Sequence, residues 1–206
     1  MSMNFISKGD IMTYQSLCLD NKKLLLKLQN HLSKKRFEHS LAVAEVAIQI
    51  AEKNKLDKRK IFLAALFHDY CRELPIEELL SFAKKKKIAI SEIAKEKPIL
   101  LHGPVAAIMV ATEFSITDYE ILDAISFHTI PGIEMNNIAK AIYIADSISA
   151  DRNYQDVEEI RNLPMEKLNA IYAKVIEQSI NFYMIKKFKI PEVLITNWNK
   201  YCEELN

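Results

Sequence analysis

The sequence predicts an all-α protein. Apolar residues recur at three- and four-residue spacing along almost the whole of the 206-residue chain, as in helices that bury one face. Sustained alternation of apolar and polar residues, the pattern of a half-buried strand, is absent. Only three glycines occur, and two of them, Gly103 and Gly132, lie near histidines at positions where helices would begin or end. We therefore expect a helical bundle with few glycine-dependent turns.

Four helices are predicted in the N-terminal half from the apolar periodicity and from the helix-breaking Pro75. They cover about residues 21–32, 35–54, 58–70 and 76–85. His39 lies near the beginning of the second helix, and the adjacent pair His68 and Asp69 lies at the end of the third. The lysines that end the fourth helix are expected to be solvated, because cations complement the negative end of a helix dipole.

The C-terminal half contains five more predicted helices, at about residues 105–113, 121–128, 138–148, 165–188 and 191–205. His102 stands at the entrance of the first, since Pro104 suits a first helical turn. A capping-box pattern from Thr117 to Glu120 precedes the second. The third is apolar on nearly all sides, so it is expected to be central and its Asp146 to be largely buried.

The composition argues against several classes of function. Lys and Arg exceed Asp and Glu by one residue, 28 against 27, so no overall positive field would hold the chain on nucleic acid or on an anionic membrane. The three cysteines include no pair separated by two residues, which argues against a disulfide framework and a thiolate zinc site. No segment reads as a signal peptide or a membrane span. We expect a cytoplasmic protein that binds neither nucleic acid nor membrane.

Four of the five histidines fall in short blocks, and Asp69 and Asp146 accompany them. One histidine near a helix end is more often structural than functional, but four such histidines together with two carboxylates are an unusual set. Imidazole nitrogens and carboxylate oxygens are ligands that iron, manganese and zinc accept. The pattern therefore predicts two divalent metal ions bound by six side chains, which are His39, His68, Asp69, His102, His128 and Asp146.

Asp69 is the candidate to lie between the two ions. Adjacent side chains on a helix diverge by about 100°, so His68 and Asp69 are not expected to chelate one ion as a simple pair. A carboxylate has two oxygens and can contact two metals that lie about 3.5 to 4 Å apart. The alternative is an ordinary aspartate at a helix C-terminus, which is electrostatically unfavourable unless a cation compensates it.

The blocks resemble the HD superfamily of metal-dependent phosphohydrolases. Within it they resemble the YqeK branch, the symmetrical bis(5'-nucleosyl)-tetraphosphatases, and the resemblance covers roughly residues 36–161. The segments that carry it are RFEHS at 36–40, HDYCRELP at 68–75, LHGPVAA at 101–107, HT at 128–129 and IAD at 144–146. The resemblance implies an HD-domain helical bundle with its core at 36–161. No repeat, low-complexity linker or sharp shift in composition divides the chain, so we expect residues 1–206 to form one domain, with an N-terminal helix at 21–32 and a C-terminal helical extension at 165–205.

The resemblance implies a di-iron centre, with manganese or another transition metal as the alternative, on the six residues proposed above. It also implies that the substrate is diadenosine tetraphosphate, cleaved symmetrically to two ADP by a metal-activated water. Asp69, His68 and His102 are the expected catalytic residues. The expected contacts to the polyphosphate come from side chains and from one helix beginning, namely Arg36, Arg72, His102, Gly103, Thr129 and Arg152.

Two segments depart from the family pattern. Threonine, glycine and arginine usually follow the histidine-threonine pair, whereas this chain has Ile130, Pro131 and Gly132. The usual tyrosine, isoleucine, glutamate, proline, glycine and arginine after the second aspartate are replaced by SISADR at 147–152. Two alternatives therefore stand beside the main prediction. One is an HD phosphohydrolase for another nucleotide, such as a nucleoside monophosphate or an alarmone like ppGpp, and the other is an inactive module that senses nucleotide or binds a partner.

Two further features bear on substrate binding. Tyr70, Phe127, Tyr143 and Tyr154 are candidates to stack on adenine, although aromatic residues at helical spacing are more often part of a core. Apolar residues of the C-terminal helices could close a pocket or build a homodimer.

Overall fold

The computed structural model of the protein describes the backbone of residues 8–205 and the side chains of residues 14–205. The described part of the chain contains α-helices, two short 3₁₀ segments and no β-strand, which confirms the all-α prediction. The helices are α1 (Lys8–Asp20), α2 (Lys22–His31), α3 (Lys34–Lys53), α4 (Lys58–Phe67), α5 (Ile76–Lys86), α6 (Glu92–Glu96), α7 (His102–Glu113), α8 (Tyr119–Phe127), α9 (Asn137–Ile148), α10 (Val157–Arg161), α11 (Leu168–Ile185) and α12 (Glu192–Tyr201). The 3₁₀ segments are Pro98–Leu101 and Cys202–Leu205.

Several predicted helices need correction at their ends. The helix predicted over 58–70 ends at Phe67, because the chain continues through turns in which Tyr70 and Arg72 donate backbone hydrogen bonds to the carbonyls three residues earlier. The helix predicted over 165–188 is α11 and is shorter at both ends. Asp118, rather than Thr117, caps α8, since its carboxylate accepts the N–H of Glu120 at 2.9 Å.

Four short or peripheral elements were not predicted. They are α1, α6, α10 and the 3₁₀ segment before α7. In α1 the buried Leu17 belongs to the main core, and the Tyr14 hydroxyl donates to the carbonyl of Leu41 in α3 at 3.4 Å. Contacts of this kind between distant segments stabilise a helix that its own sequence marks only weakly.

The core is built around α9, which packs against α3, α8 and α11. As predicted, this helix is buried on nearly all sides, and Ile142 and Ile144 are fully inaccessible to solvent. Burying such a side chain stabilises the fold by about 1.5–3 kcal/mol, so this helix is held firmly in place. Helices α4 and α7 pack against α8 and complete the bundle.

The packing brings several helix ends to one point. His68 follows the last residue of α4, His128 follows the last residue of α8, and His102 begins α7. Asp146 lies in the last turn of α9, and His39 lies in α3. The predicted ligands therefore come from five helices whose ends or faces meet inside the bundle.

The C-terminal helices α11 and α12 pack against each other, and α11 also packs on α9. The end of α11 exposes Phe182, Met184 and Ile185, the last of which is 77% exposed. A homodimer built through this surface stays a prediction, as do the domain boundaries given above. No helix in residues 8–205 combines the length and the apolar character needed to cross a lipid bilayer.

Gly103 allows α7 and the end of α8 to approach closely. A β-carbon at this position would lie 2.7 Å from the backbone oxygen of Ser126 and 3.2 Å from that of Ile125. Both neighbours are backbone atoms, which cannot turn away as a flexible side chain can. Gly103 therefore has a packing role, and its predicted contact with phosphate stays a prediction.

We expect Gly103→Ala to lower the free energy of unfolding by about 1–3 kcal/mol, the usual cost of an overpacked site. Chemical denaturation followed by circular dichroism measures this change. Gly132→Ala is the matched control, because its added β-carbon would lie 3.4 Å from the ring of Phe127, an ordinary contact. Equal stability of the two variants would contradict the packing role of Gly103.

Candidate metal centre

Asp69 lies at the centre of four histidines. Its Oδ2 is 3.6 Å from Nε2 of His39 and 3.4 Å from Nε2 of His68. Its Oδ1 is 2.9 Å from Nε2 of His102 and 3.5 Å from Nε2 of His128. The two carboxylate oxygens therefore face two different pairs of imidazoles, which is the orientation expected of a carboxylate shared by two metal ions.

Asp146 adds its carboxylate on the side of the first pair. Its Oδ1 is 3.1 Å from Nε2 of His39 and 4.0 Å from Nε2 of His68. Two triplets have ligand atoms that all lie within 4.8 Å of one another, and these are His39, His68 and Asp146, and His68, Asp69 and His128. The structure thus brings together all six of the residues that were predicted to bind metal.

The hydrogen bonds of three histidines leave their Nε2 atoms free for a metal. Nδ1 of His68, His102 and His128 lies 2.6 to 2.7 Å from the backbone oxygen of the residue three positions earlier. A carbonyl oxygen can only accept, so each Nδ1 carries the proton, and Nε2 of the neutral ring carries a lone pair. This arrangement is the usual one for histidines that bind metal through Nε2.

The Nε2 atoms converge in a way that requires a positive charge between them. They lie 2.9 Å apart in His102 and His128, and 3.3 Å apart in His39 and His68. Two bare lone pairs at these distances repel each other unless a proton or a cation lies between them. The donor set of imidazoles and carboxylates fits a divalent transition metal.

The pKa values of the site residues also indicate that positive charge is needed among these side chains. Burial alone would raise the pKa of the Asp69 carboxyl, but the surrounding histidines outweigh burial and hold the pKa well below its usual range. The pKa of Asp146 is lowered in the same way, chiefly by His39 and His68 against the effect of burial. Burial lowers the pKa of His128 to about 4. Burial opposes the charged form of His68, but Asp69 and Asp146 outweigh burial and raise its pKa. The two carboxylates are thus ionised at neutral pH and attract positive charge, from His68 or from a bound cation.

Two of the three predicted phosphate-binding arginines pair with these carboxylates. Nη1 of Arg36 donates to Oδ2 of Asp69 at 2.5 Å. Arg152 donates to Oδ1 of Asp146 and, through Nε, to the backbone oxygen of the same residue at 2.8 Å. Arg72 forms no salt bridge with any side chain in residues 14–205, so its guanidinium group is the one available for a further anion.

A cavity of about 140 Å³ opens onto the cluster of histidines and aspartates. Its lining includes most of the residues predicted to bind substrate, and consists of Arg36, Asp69, Arg72, His102, His128, Thr129, Asp146 and Arg152. Gly103 does not line it. The Thr129 hydroxyl donates to the backbone oxygen of Leu100 at 3.2 Å, so its oxygen can still accept a hydrogen bond.

A larger cavity of about 440 Å³ adjoins the first one, and the two share Thr129, Asp146 and Arg152. Helix α11 forms its far wall with apolar and polar side chains, namely Val175, Gln178, Ser179, Phe182 and Tyr183. The C-terminal extension therefore forms one wall of a pocket beside the cluster. Among the four aromatic candidates for stacking, Tyr154 lines this cavity, and its buried hydroxyl has no hydrogen-bond partner in the described part of the chain.

Sequence reasoning missed one polar contact to the cluster. Asp151 accepts a hydrogen bond from Nδ1 of His39, with 2.8 Å between Nδ1 and Oδ2. The only sequence signal was a carboxylate in a segment that departs from the family pattern. A change in pattern does not reveal which distant side chain a residue contacts, so this contact required the structure.

The helical bundle and its cluster of histidines and aspartates fit the HD-domain class of hydrolases. The family model described as HD domain matches residues 36–151, which is more than half of the chain. HD-domain proteins depend on metal ions, and the cluster described above could hold one.

Similar proteins indicate which branch of the HD domain family the chain resembles. A Bacillus subtilis protein named symmetrical bis(5'-nucleosyl)-tetraphosphatase is 32% identical over 87% of this chain and 97% of its own length. A Staphylococcus aureus protein of the same name is 31% identical over 85% of this chain and 87% of its own. A solved structure from Clostridium acetobutylicum, described as a predicted HD superfamily hydrolase involved in NAD metabolism, is 30% identical, with a TM-score of 0.82 over 88% of this chain and 96% of its own.

The chain belongs to the HD domain family and, within it, to the branch whose members are named symmetrical bis(5'-nucleosyl)-tetraphosphatase.

We expect manganese(II) to raise the melting temperature of the metal-free protein, because a ligand that binds only the folded state at about 100 times its Kd adds about 2.7 kcal/mol of stability. Asp69→Asn should abolish most of this rise, since it removes the charge that both histidine pairs face. Differential scanning fluorimetry measures both effects.

The control for the manganese experiment is His31→Gln. His31 is the one histidine outside the cluster, where its Nε2 contacts the backbone oxygen of Tyr70 at 3.0 Å. This variant should be stabilised by manganese as the wild type is. A full response of Asp69→Asn to manganese would show that the cluster is not where the ion binds.

Proposed function

We propose that this protein hydrolyses diadenosine tetraphosphate symmetrically to two ADP, with two divalent metal ions bound in the cluster. The observation that carries the proposal is the position of Asp69, whose two oxygens face separate histidine pairs beside a cavity lined by three arginines. The names of the relatives in the same branch support this substrate.

His39, His68 and Asp146 would hold one ion, His102 and His128 would hold the other, and Asp69 would be shared. When bound, such ions lower the pKa of a coordinated water toward neutrality and offset the negative charge of phosphate. Iron is the proposed metal, following the resemblance to the family, with manganese as the alternative that the same donors accept. Asp69, His68 and His102 are the proposed catalytic residues: Asp69 and His102 line the small cavity, and Nε2 of His68 lies 3.4 Å from Oδ2 of Asp69.

The arginines of the small cavity would bind the polyphosphate. A guanidinium group presents its N–H groups as a fork that matches two phosphate oxygens. Arg72 has no carboxylate partner in residues 14–205 and can bind phosphate without breaking a salt bridge. Arg36 and Arg152 would contact phosphate while they hold Asp69 and Asp146 in place.

Polar groups near the arginines would complete the phosphate site. The Thr129 hydroxyl lines both cavities, and His102 lines the smaller one. The backbone at the beginning of α7 was a further predicted contact, but Gly103 does not line the small cavity and the N–H of His102 already donates to the carbonyl of Ile99.

The larger cavity would take one nucleoside of the substrate. Its volume of about 440 Å³ falls within the range of roughly 300–1,000 Å³ that small-molecule sites occupy. Its apolar wall suits the face of a base, and the Gln178 amide can hydrogen-bond to ring nitrogens or to ribose. The second nucleoside would extend from the opposite side of the small cavity toward solvent.

The reaction adds one water across the central anhydride. The water oxygen forms a bond to the second phosphorus, and the bond from this phosphorus to the bridging oxygen breaks. The bridging oxygen leaves with the third phosphate, so each product is ADP. One water proton is released during the attack, and the other stays on the new terminal phosphate until that group ionises. The positive side chains around the small cavity would stabilise the negative charge that develops on the leaving phosphate.

We expect the protein loaded with iron or manganese to convert diadenosine tetraphosphate to ADP alone. Chromatography of the products would distinguish this from asymmetrical cleavage, which yields ATP and AMP. In water labelled with oxygen-18, mass spectrometry should find the label in the terminal phosphate of half of the ADP. Asp69→Asn should lower the rate by at least about 100-fold, since loss of even an outer partner of a metal ligand costs 10–100-fold.

Two results would contradict this assignment. Release of phosphate from AMP, or hydrolysis of ppGpp, with diadenosine tetraphosphate left intact would assign the site to another nucleotide. Absence of turnover with all three substrates, despite stoichiometric metal, would favour the inactive sensing or partner-binding module.

Arg72→Gln should lower kcat/KM for diadenosine tetraphosphate by about 10–100-fold, because a hydrogen bond to a charged group is worth about 1.5–3 kcal/mol. Metal binding should stay unchanged, since Arg72 pairs with neither carboxylate of the cluster. Steady-state kinetics and metal analysis measure the two quantities.

Arg72→Lys keeps the positive charge but loses the planar pair of N–H donors, so its kcat/KM should fall between that of the wild type and that of Arg72→Gln. Arg59→Gln is the control, because Arg59 is an exposed arginine at the beginning of α4. Wild-type kinetics in Arg72→Gln would remove Arg72 from the phosphate site.

A further inference from the structure

His39 differs from the other histidines of the cluster in its place on a helix. Ala65 and Ile125, which accept from His68 and His128, lie in the last turns of α4 and α8. The last carbonyls of a helix have no intrahelical partner, so they are free to accept from a side chain. His102 similarly uses the carbonyl of Ile99 in the 3₁₀ segment that precedes α7.

No such carbonyl is available to His39. It is an early residue of α3, a helix of 20 residues, and the carbonyls of the first turn accept from N–H groups one turn later. The orienting partner of this ring must therefore come from another segment. That partner is the carboxylate of Asp151, which is 112 residues further along the chain, with 2.8 Å between Nδ1 and Oδ2.

The Asp151 carboxylate is itself held by a neighbour. The Ser149 hydroxyl donates to its Oδ1 at 2.7 Å, which leaves Oδ2 for His39. The side chain of Asp151 is 46% exposed, whereas that of His39 is 3% exposed. The contact therefore runs from a buried metal-facing ring to a carboxylate at the surface.

The turn that carries Asp151 is fixed by Arg161 of α10. The guanidinium group of Arg161 donates to the backbone oxygens of Ile148 at 2.9 Å, Ser149 at 2.6 Å and Arg152 at 2.8 Å. Three hydrogen bonds from one planar group hold the turn in a single conformation. Asp151 is thus held in position before any ligand binds.

We propose that Asp151 is a positioning residue that sets the protonated nitrogen and the orientation of His39, and thereby controls metal affinity in the half of the site formed by His39, His68 and Asp146. An ionised carboxylate accepts a stronger hydrogen bond than a backbone carbonyl and makes the opposite ring nitrogen a better metal ligand. The half formed by His102 and His128 relies on backbone carbonyls and does not depend on Asp151. The proposal rests on the two-metal site of the proposed function and is independent of the substrate.

The test is a titration of the metal-free, full-length protein with manganese(II), followed by calorimetry and by electron paramagnetic resonance. The wild type should fill two sites and show spin coupling between them. Asp151→Ala should weaken one site by about 10–100-fold and leave the other unchanged. At intermediate manganese concentrations, the variant should therefore show the spectrum of isolated manganese(II).

Three further variants make the result specific. Asp151→Asn keeps an acceptor oxygen without the charge, so its loss of affinity should be smaller than that of Asp151→Ala. Ser149→Ala should weaken the same site to a lesser degree, and it tests the proposal even where Asp151→Ala folds poorly. Glu159→Ala is the matched control, an exposed carboxylate of α10 that should leave both sites unchanged.

Wild-type affinity at both sites in Asp151→Ala and Ser149→Ala would overturn the proposal, as would an equal loss at both sites. A wild type that binds no manganese and no iron would overturn the metal centre itself. A protein that binds two metals but leaves diadenosine tetraphosphate intact would refute only the proposed function.

Discussion

The structure depends on how the negative charge of one buried carboxylate, that of Asp69, is offset by its neighbours. The Asp69 side chain is 5% exposed and lies among four imidazoles and one guanidinium group. An unpaired ion in such a place would be strongly destabilising, so the surrounding groups must supply positive charge or hydrogen bonds. The bundle places five helices so that their polar groups meet at this point. Their packing is therefore inseparable from the electrostatics of the site.

The ends of helices orient most of the histidine rings in the site. His68, His102 and His128 lie at a helix end or beginning, where nearby carbonyls can orient the ring without a side-chain partner. The backbone thus performs a task that in many metal sites falls to a carboxylate. Because the acceptors belong to main-chain atoms, this part of the site tolerates changes in neighbouring side chains. His39, which lies within a helix, is the exception and depends on the segment after α9.

In the proposed function, that segment joins the metal site to the pocket for a nucleoside, and helix α11 forms the far wall of that pocket. Arg152 contacts Asp146, Asp151 contacts His39, and Tyr154 faces the larger cavity, so a few consecutive residues link the cluster to the pocket. Helix α11 completes the pocket without contributing a metal ligand. In the proposed reaction, this division lets sequence changes in the turn and in α11 adjust the choice of nucleotide while the six ligands stay in place.

Much of the fold and of the cluster could be predicted from the sequence, because both leave local signals. Helical periodicity marked the long helices, and the short histidine blocks marked the six side chains that the structure brings together, including an Asp69 that lies between two sets of histidines. Tertiary structure alone decided the partner of His39, the close approach at Gly103, the freedom of Arg72 to bind an anion and the wall that α11 builds beside the cluster. These features arise from contacts between segments that are far apart in the chain, and a local pattern carries no information about which distant residue a side chain will meet. The residue types determined the chemistry that the protein can perform, and the packing of the helices decided which of those residues act together.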